Sequence, residues 1–148
     1  MDVVCNKRSY TVKFYLIEFE PDNYHIYIKG KLQGYPLNII IDTGASHTCF
    51  DLDFFKKIDP EALLVSNNGT NVGIGTDQFD TAITSIRNFK ISRYKIPDFQ
   101  AILLSMNHIN NIYATAGFPQ IDAILGSDFF VTYQAIIDYS TQKLTFQI

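Results

Sequence analysis

The chain has 148 residues, of which 47% are hydrophobic and 18% are charged, a composition typical of a folded globular domain and not of a disordered segment. The formal net charge of -3, without any basic run longer than a pair, argues against a nucleic-acid partner. No apolar stretch is long enough for a signal peptide or a membrane span, and two cysteines make no disulfide framework, so we expect a cytoplasmic protein without a membrane partner.

Alternation of apolar and polar residues predicts that strands dominate the chain. The predicted strands span residues 11–19, 24–29, 37–41, 47–50, 63–65, 78–84, 87–94, 99–105, 135–139 and 143–148. Because no linker, repeat or low-complexity segment interrupts them, residues 1–148 are predicted to form a single domain. Many short strands with few helices are typical of a closed or partly closed β-barrel.

Short helices are predicted in two places. Asp51 is a suitable N-cap for a helix over residues 52–58, which Pro60 would end. A second short helix is expected over residues 127–133. Residues 106–120 are polar and rich in asparagine, so they are predicted to form a long irregular loop, and loops of this length are often functional.

The most informative segment follows the apolar run Ile39-Ile40-Ile41, where a carboxylate enters a tight glycine turn. A carboxylate beside a packed strand is costly to desolvate, which favours a functional acid. The alternative is a turn residue whose side chain bonds its own backbone. The candidate site residues of this segment are Asp42, Thr43, Gly44, Ala45 and Ser46.

The segment 39–46 resembles the active-site loop of retropepsin-like aspartic proteases, and two further motifs stand in the order that this family shows. Ile124-Leu125-Gly126 resembles the second, structural glycine motif, which lies beside the active-site loop and precedes a short helix. Between them, Gly73-Ile74-Gly75 stands where the family places the flap, a hairpin that closes over substrate. The resemblance covers roughly residues 24–148 and is more specific than any one motif.

The resemblance implies a mainly β, single-domain retropepsin-like fold, a closed β-barrel with one or two short helices. It implies that Asp42 is the catalytic aspartate, that the Thr43 hydroxyl bonds to the partner's loop, and that Gly44 bonds the carboxylates. Hydrolysis of a peptide bond in this way needs two carboxylates, and the chain holds one such motif. The implied enzyme is therefore an aspartic endopeptidase, a homodimer that acts on a peptide or protein substrate without a cofactor.

The chain departs from the viral members of the family at two positions. Ser46-His47-Thr48 stands where viral enzymes often carry acids that help to bind the substrate backbone. Ser127 stands where they often carry an arginine, so the viral type of dimer contact is in question. The overall pattern is closer to bacterial or cellular members of the family.

Other interpretations of the chain remain open at this point. A catalytically inactive, dimeric peptide-binding module of the same fold is the alternative function, and a domain cut from a larger protein is a further one. No Cys or His stands at ligand spacing, so no metal site is predicted. The residues interpreted as structural or as ordinary surface residues are His25, His47, His108, Asp122 and Asp138.

Overall fold

The computed structural model describes residues 6–60 and 81–148, and strands dominate both parts, which confirms the prediction of a mainly β protein. In chain order, the first described strands are β1 (Ser9–Lys13), β2 (Tyr15–Glu20), β3 (Asn23–Leu32), β4 (Tyr35–Ile41), β5 (Cys49–Asp51) and β6 (Ala82–Ile86). The others are β7 (Phe89–Ile91), β8 (Tyr94–Ile96), β9 (Phe99–Leu104), β10 (Ala123–Leu125), β11 (Ile136–Asp138) and β12 (Lys143–Gln147). The helices of these parts are α1 (Leu52–Ile58), α2 (Asn107–Thr115) and α3 (Ser127–Thr132).

The strands are arranged in two sheets. A small antiparallel sheet has the order β1-β12-β11. A larger, curled sheet follows the path β6-β9-β5-β10-β4-β3-β7-β8, with β2 paired to β3. Among the described residues this path ends at β6 and β8 and does not join the small sheet, so the fully closed barrel that the sequence predicted is not shown.

A single apolar core cluster includes side chains from both sheets. Its completely buried members include Phe14, Leu144 and Phe146 near or in the small sheet, and Ile39, Phe50 and Leu103 in the large one. Burial of each such side chain stabilises the fold by roughly 1.5–3 kcal/mol. The shared core therefore holds the small sheet against the large one and fixes the position of the strands that carry the candidate site.

The predicted strand over 11–19 is two strands, because the chain changes sheet at Phe14. β1 pairs with β12, whereas β2 pairs with β3. At Phe14, the residue between β1 and β2, the backbone amide donates to the Gln142 carbonyl at 3.0 Å. The alternation changes phase there. Phe14 is completely buried in the core, whereas Leu16, two residues further on, is 41% exposed and Ile17 is buried in a second apolar cluster.

Helix α2 replaces the irregular loop predicted for residues 106–120. Its sequence gives little local signal, because asparagine is a poor helix former and no side chain caps the first turn. Packing stabilises it instead. Tyr113 is buried in the second apolar cluster, and the Asn110 side chain exchanges two hydrogen bonds with the backbone of Ile121, at 2.7 and 3.0 Å. Tertiary contacts of this kind commonly override weak propensity.

Elements with a strong local signal were predicted well. The Asp51 carboxylate accepts from the Phe54 amide at 3.2 Å and caps α1, whose bounds match the prediction. The second short helix and the C-terminal hairpin are also present. The predicted strand over 87–94 is instead the hairpin of β7 and β8, which turns at Ser92 with φ 54. The strand predicted over 63–65 lies outside the described residues.

Candidate active site

The Asp42 loop and the second glycine motif lie side by side at the centre of the large sheet. β4 and β10 are parallel, with Ile41 paired to Leu125. The Asp42 amide extends this ladder by donating to the Leu125 carbonyl at 3.0 Å. The paired ends of the two strands are apolar and mostly buried, so two segments far apart in sequence end at the same edge with their backbones fixed.

The turn after β4 holds the Asp42 carboxylate in a fixed orientation. The Gly44 amide donates to Asp42 Oδ1 at 2.9 Å, and the Ala45 amide donates to the Asp42 carbonyl at 3.1 Å. No hydrogen bond from the described residues reaches the second carboxylate oxygen. Asp42 and Thr43 are exposed, so a carboxylate anchored by one oxygen faces solvent at the end of a rigid strand.

Gly126 allows the second motif to pack directly against this loop. A Cβ atom built on Gly126 would lie 2.8 Å from the Ala45 carbonyl oxygen and 2.7 Å from the His47 carbonyl carbon. Contacts that short do not occur between well-packed atoms, so any side chain would force the two segments apart. The Ser127 amide then donates to the Ala45 carbonyl at 2.7 Å and fastens the start of α3 to the loop.

Thr48 and Asp128 fasten the same two segments from the buried side, and sequence reasoning missed this pair. The Thr48 hydroxyl donates to Asp128 Oδ1 at 2.8 Å and accepts from the Gly126 amide at 3.1 Å. The Thr48 amide donates to the same carboxylate at 3.0 Å, and so does the Phe129 amide at 2.8 Å. An acid in the first turn of a predicted helix was the available signal, because carboxylates are favoured at helix N-termini.

A cavity of about 580 Å³ lies beside Asp42 and is lined by residues of β2, β3, β4, β10 and α2, most of them aliphatic or aromatic. Ile124 of the second motif faces it, whereas Leu125 is completely buried in the core. At one wall, His25 Nδ1 and the Tyr113 hydroxyl form a hydrogen bond of 2.7 Å. Burial, and secondarily the charge of Asp42, raises the pKa of Tyr113 to about 12, so its phenol stays protonated.

The other candidate residues are placed as follows. Ser46 is exposed, and its carbonyl accepts from the Ser127 hydroxyl at 3.5 Å. His47 is also exposed and lies on the same loop. The predicted flap residues Gly73, Ile74 and Gly75 lie outside the described residues. Sequence reasoning interpreted His25 as an ordinary residue and did not foresee α2, yet both line the cavity that Asp42 faces.

Cys49 is not suited to act as a nucleophile. Its thiol is half-buried and donates to the His47 carbonyl at 3.4 Å. Burial, together with the charge of Asp128, raises its pKa to about 11, so the thiolate is scarcely formed at neutral pH. In the described parts of the chain no group of His, Cys, Asp and Glu side chains could hold a metal ion, and no helix there is long and apolar enough to cross a membrane.

Asp122 and Asp51 form a buried pair of carboxyl groups behind the site. The Asp122 side chain accepts from the Asn38 amide at 2.9 Å, and Asp51 accepts from the Met106 amide at 2.9 Å. Burial raises the pKa of Asp122 to about 6; the nearby charge of Asp51 adds to this, and the hydrogen bond from Asn38 opposes it. The folded protein therefore binds the Asp122 proton more tightly than the unfolded chain does.

Asp122→Asn is expected to remove a pH-dependent loss of stability. Because the pKa is raised on folding, the stabilisation by the protonated group is complete below about pH 4 and is lost as pH rises through about 6. Asparagine cannot ionise and keeps an acceptor for the Asn38 amide. Urea unfolding at several pH values should show that the free energy of unfolding of the variant, relative to that of the wild type, rises between pH 4 and pH 7. The expected rise is about 1–2 kcal/mol after allowance for solvent screening. A difference that does not change with pH would contradict this.

Comparison with known proteins agrees with this geometry. A family model described as aspartyl protease matches residues 28–129, which is more than half of the chain. A search of curated proteins gave no match. Among solved structures, a retropepsin-like aspartic protease from Rickettsia conorii aligns with a TM-score of 0.58 at 13% identity, covering 96% of this chain and 94% of that one.

A second solved structure has a similar fold. The retroviral protease-like domain of Ddi1 from Leishmania major aligns with a TM-score of 0.55 at 17% identity, covering 81% of this chain and 86% of that one. At these identities the likeness shows the fold, and the family match adds the sequence relationship, so the resemblance inferred from the motifs is confirmed. The chain belongs to the aspartyl protease family and has a retropepsin-like fold.

Proposed function

We propose that this protein is an aspartic endopeptidase that hydrolyses peptide bonds with two Asp42 carboxylates, one from each subunit of a homodimer. The observation that carries the proposal is the placement of Asp42. It stands at the end of a buried strand, held through one oxygen by the Gly44 amide, with the carboxylate facing a cavity large enough for a ligand. The match of residues 28–129 to the aspartyl protease family supports the same chemistry.

The chemistry explains why a dimer is needed. Two adjacent carboxylates cannot both ionise, so the pair shares one proton. The ionised carboxylate takes a proton from water as the oxygen attacks the peptide carbonyl, while the protonated one donates to the carbonyl oxygen. Breakdown of the resulting intermediate returns a proton to the leaving amine and releases two peptides. In this arrangement Thr43 would bond to the partner's loop, and no cofactor takes part.

The free edge of β11 is the surface best placed for dimer formation. β11 pairs with β12 on one side, and no described strand pairs with its other side. Ile136 is 61% exposed on this strand, and Tyr139, just after it, lines the cavity that Asp42 faces. Pairing of two β11 edges would satisfy unpaired backbone groups, cover Ile136, and bring two cavities towards the two-fold axis.

Ile136→Lys is expected to weaken the dimer, because it places like charges near each other across the two-fold axis of paired β11 strands. Sedimentation equilibrium should show the dimer dissociation constant rising by about tenfold or more, since each like-charged or unburied pair costs on the order of 1 kcal/mol. Tyr35→Lys is the matched control, because Tyr35 is comparably exposed but begins β4 at the end remote from Asp42. If the two variants have the same dimer dissociation constant, the interface does not include the edge of β11.

The substrate would lie in the cleft as an extended strand held by backbone hydrogen bonds. A flap at Gly73-Ile74-Gly75 and a cytoplasmic site of action are part of the proposal. The test is cleavage of a peptide library, with sensitivity to pepstatin, over a range of protein concentrations. Activity per chain should fall on dilution as dimers separate. Peptide binding without any cleavage would instead favour the inactive peptide-binding module.

A further inference from the structure

We propose that the outer face of β3, β7 and β8 is a docking surface for an acidic, extended segment of the protein substrate, separate from the cavity beside Asp42. This basic face consists of Lys13, Lys29, Lys31, Lys90 and Lys95. The inference rests on the proposed function, because it takes the ligand to be a protein that is cleaved at Asp42. The lysines are scattered along the sequence, so no basic run marks them before the strands are paired.

Three of these lysines stand opposite one another on neighbouring strands. Lys31 of β3 pairs with Lys90 of β7, and Lys90 pairs with Lys95 of β8. Paired residues lie on the same face of a sheet, and neighbouring strands are about 4.8 Å apart, so the three positive charges repel one another. Like charges placed directly opposite destabilise a sheet. Folding gains nothing from this row, which points instead to a negatively charged ligand.

The other two lysines lie next to this row and share one aromatic ring. The Nζ atoms of Lys13 and Lys29 lie 5.2 and 5.3 Å from the centroid of the Tyr15 ring. Lys29 precedes Lys31 by two residues on β3, so both are on the outer face of the sheet, where both are exposed. Attraction between the ring and the two ammonium groups holds them close together before any ligand binds.

No acidic side chain of the described residues neutralises the basic face. None of its lysines forms an ion pair with another described residue. The three strands β3, β7 and β8 contain neither Asp nor Glu, although the whole chain has 15 acidic and 12 basic residues. The positive potential is therefore local, and it would attract an acidic segment to this face in preference to the rest of the surface.

The basic face lies on the side of β3 that also borders the cavity. His25 lines the cavity, and alternate residues of a strand share a face, so His25, Lys29 and Lys31 lie along one line. At about 3.3 Å per residue, Lys29 is about 13 Å and Lys31 about 20 Å from His25 along the strand. An extended peptide that occupies the cavity would therefore reach the basic face about four to six residues further along its chain.

The surroundings of the lysines favour an acidic polypeptide over a membrane or a nucleic acid. Large exposed apolar side chains are absent from β7 and β8, and Tyr24 on β3 lies at the end remote from Lys31, so a bilayer finds no apolar anchor. The net charge of -3 opposes a long polyanion such as a nucleic acid. An extended peptide presents alternate side chains about 6.6 Å apart, which matches the spacing of Lys29 and Lys31.

Lys90→Glu separates binding from folding. The glutamate would stand between Lys31 and Lys95 and replace two repulsive pairs by two attractive ones, so the midpoint of urea unfolding should rise. A fluorescein-labelled hexaglutamate peptide, followed by fluorescence anisotropy, should bind this variant about tenfold more weakly than the wild type. Lys56→Glu is the matched control, because Lys56 is an exposed lysine on α1 and the net charge changes equally. Equal losses in the two variants would contradict a localised docking surface.

Competing anions identify the occupant. Binding of hexaglutamate to the wild type should weaken as NaCl is raised from about 50 to about 300 mM, because screening shortens the reach of exposed charges. A single-stranded oligothymidylate and vesicles that contain phosphatidylserine are measured under the same conditions. If one of these binds through Lys90 while hexaglutamate does not bind, the inference is wrong.

Peptides with an acidic tail connect the basic face to cleavage. A substrate with four glutamates that begin about four residues from the cleaved bond, on one side or the other, is compared with the same peptide carrying glutamines. In the wild type the glutamate tail should raise kcat/KM about fivefold through a lower KM, because docking does not touch the reacting atoms. The advantage should disappear in Lys90→Glu and persist in Lys56→Glu.

Failure of this inference can be separated from failure of the proposed function, because binding of hexaglutamate needs no cleavage. If no peptide is cleaved but hexaglutamate binds and Lys90→Glu removes the binding, the docking surface stands for an acidic protein partner and the proposed function fails. If the wild type cleaves peptides with acidic and neutral tails equally well, the inference is wrong and the proposed function stands. Binding of hexaglutamate that is as tight in Lys90→Glu as in the wild type overturns the inference in either case.

Discussion

Asp42→Asn is expected to abolish peptide cleavage while leaving the folded dimer intact. In a homodimer one substitution removes both carboxylates, so no group remains to activate water or to protonate the substrate carbonyl. General acid–base catalysis typically contributes about 10²–10⁴-fold, so a loss of at least about 10³-fold in kcat is expected for the pair. The asparagine oxygen can still accept from the Gly44 amide, and the side chain is exposed, so unfolding in urea should be nearly unchanged.

Mixing variant and wild-type chains tests the shared site directly. If each active site draws one carboxylate from each subunit, an equal mixture contains mixed dimers that hold a single aspartate and should be inactive. Activity per wild-type chain should then fall to about half once the subunits have exchanged, as random pairing of a closed dimer requires. Asp98→Asn is the matched control, because Asp98 is an exposed acid between β8 and β9, away from the loop. Undiminished activity in the mixture would mean that each chain works alone.

The loop and its neighbouring motif were predictable because their signals are local. A carboxylate after an apolar strand, a glycine turn, and a glycine before a short helix each stand in a few consecutive residues. The resemblance placed the second motif beside the loop, and the structure shows β4 and β10 paired in parallel there. In the same way, the Asp51 cap fixed the start of α1 without help from tertiary structure.

The features that sequence reasoning missed depend on contacts between distant residues. Helix α2 is stabilised by Asn110 bonding the backbone of Ile121 and by Tyr113 packing under Phe19, and neither contact has a sequence pattern. The change of sheet at Phe14 depends on which strands lie beside it. Thr48 meets Asp128 across eighty residues of sequence. Helix α2 lines the cavity beside Asp42, and Thr48 and Asp128 support the loop, so these two features belong to the part of the molecule where members of one fold are expected to differ most in function.

Gly126→Ala is expected to destabilise the protein strongly and to disorganise the site with it. The backbone of Gly126, with φ -102 and ψ -177, is one that any residue adopts, so the cost is steric and not conformational. An added Cβ would lie within 2.8 Å of backbone atoms of both Ala45 and His47, and backbone cannot rotate away as a side chain can. We expect a loss of about 3 kcal/mol or more in the free energy of unfolding.

The consequence for activity follows from what Gly126 holds together. Moving β10 away from the loop would stretch the bond from the Ser127 amide to Ala45 and the bond from the Gly126 amide to Thr48, and these orient the segment after Asp42. Gly117→Ala is the control for the conformational cost of replacing a glycine. Gly117 has φ +72, which disfavours alanine, but the space around its Cβ position is open, so no steric clash is added. That control should lose only about 1 kcal/mol. If the two variants unfold at the same urea concentration, close packing at Gly126 does not hold the loop, and the orientation of Asp42 must depend on β4 alone.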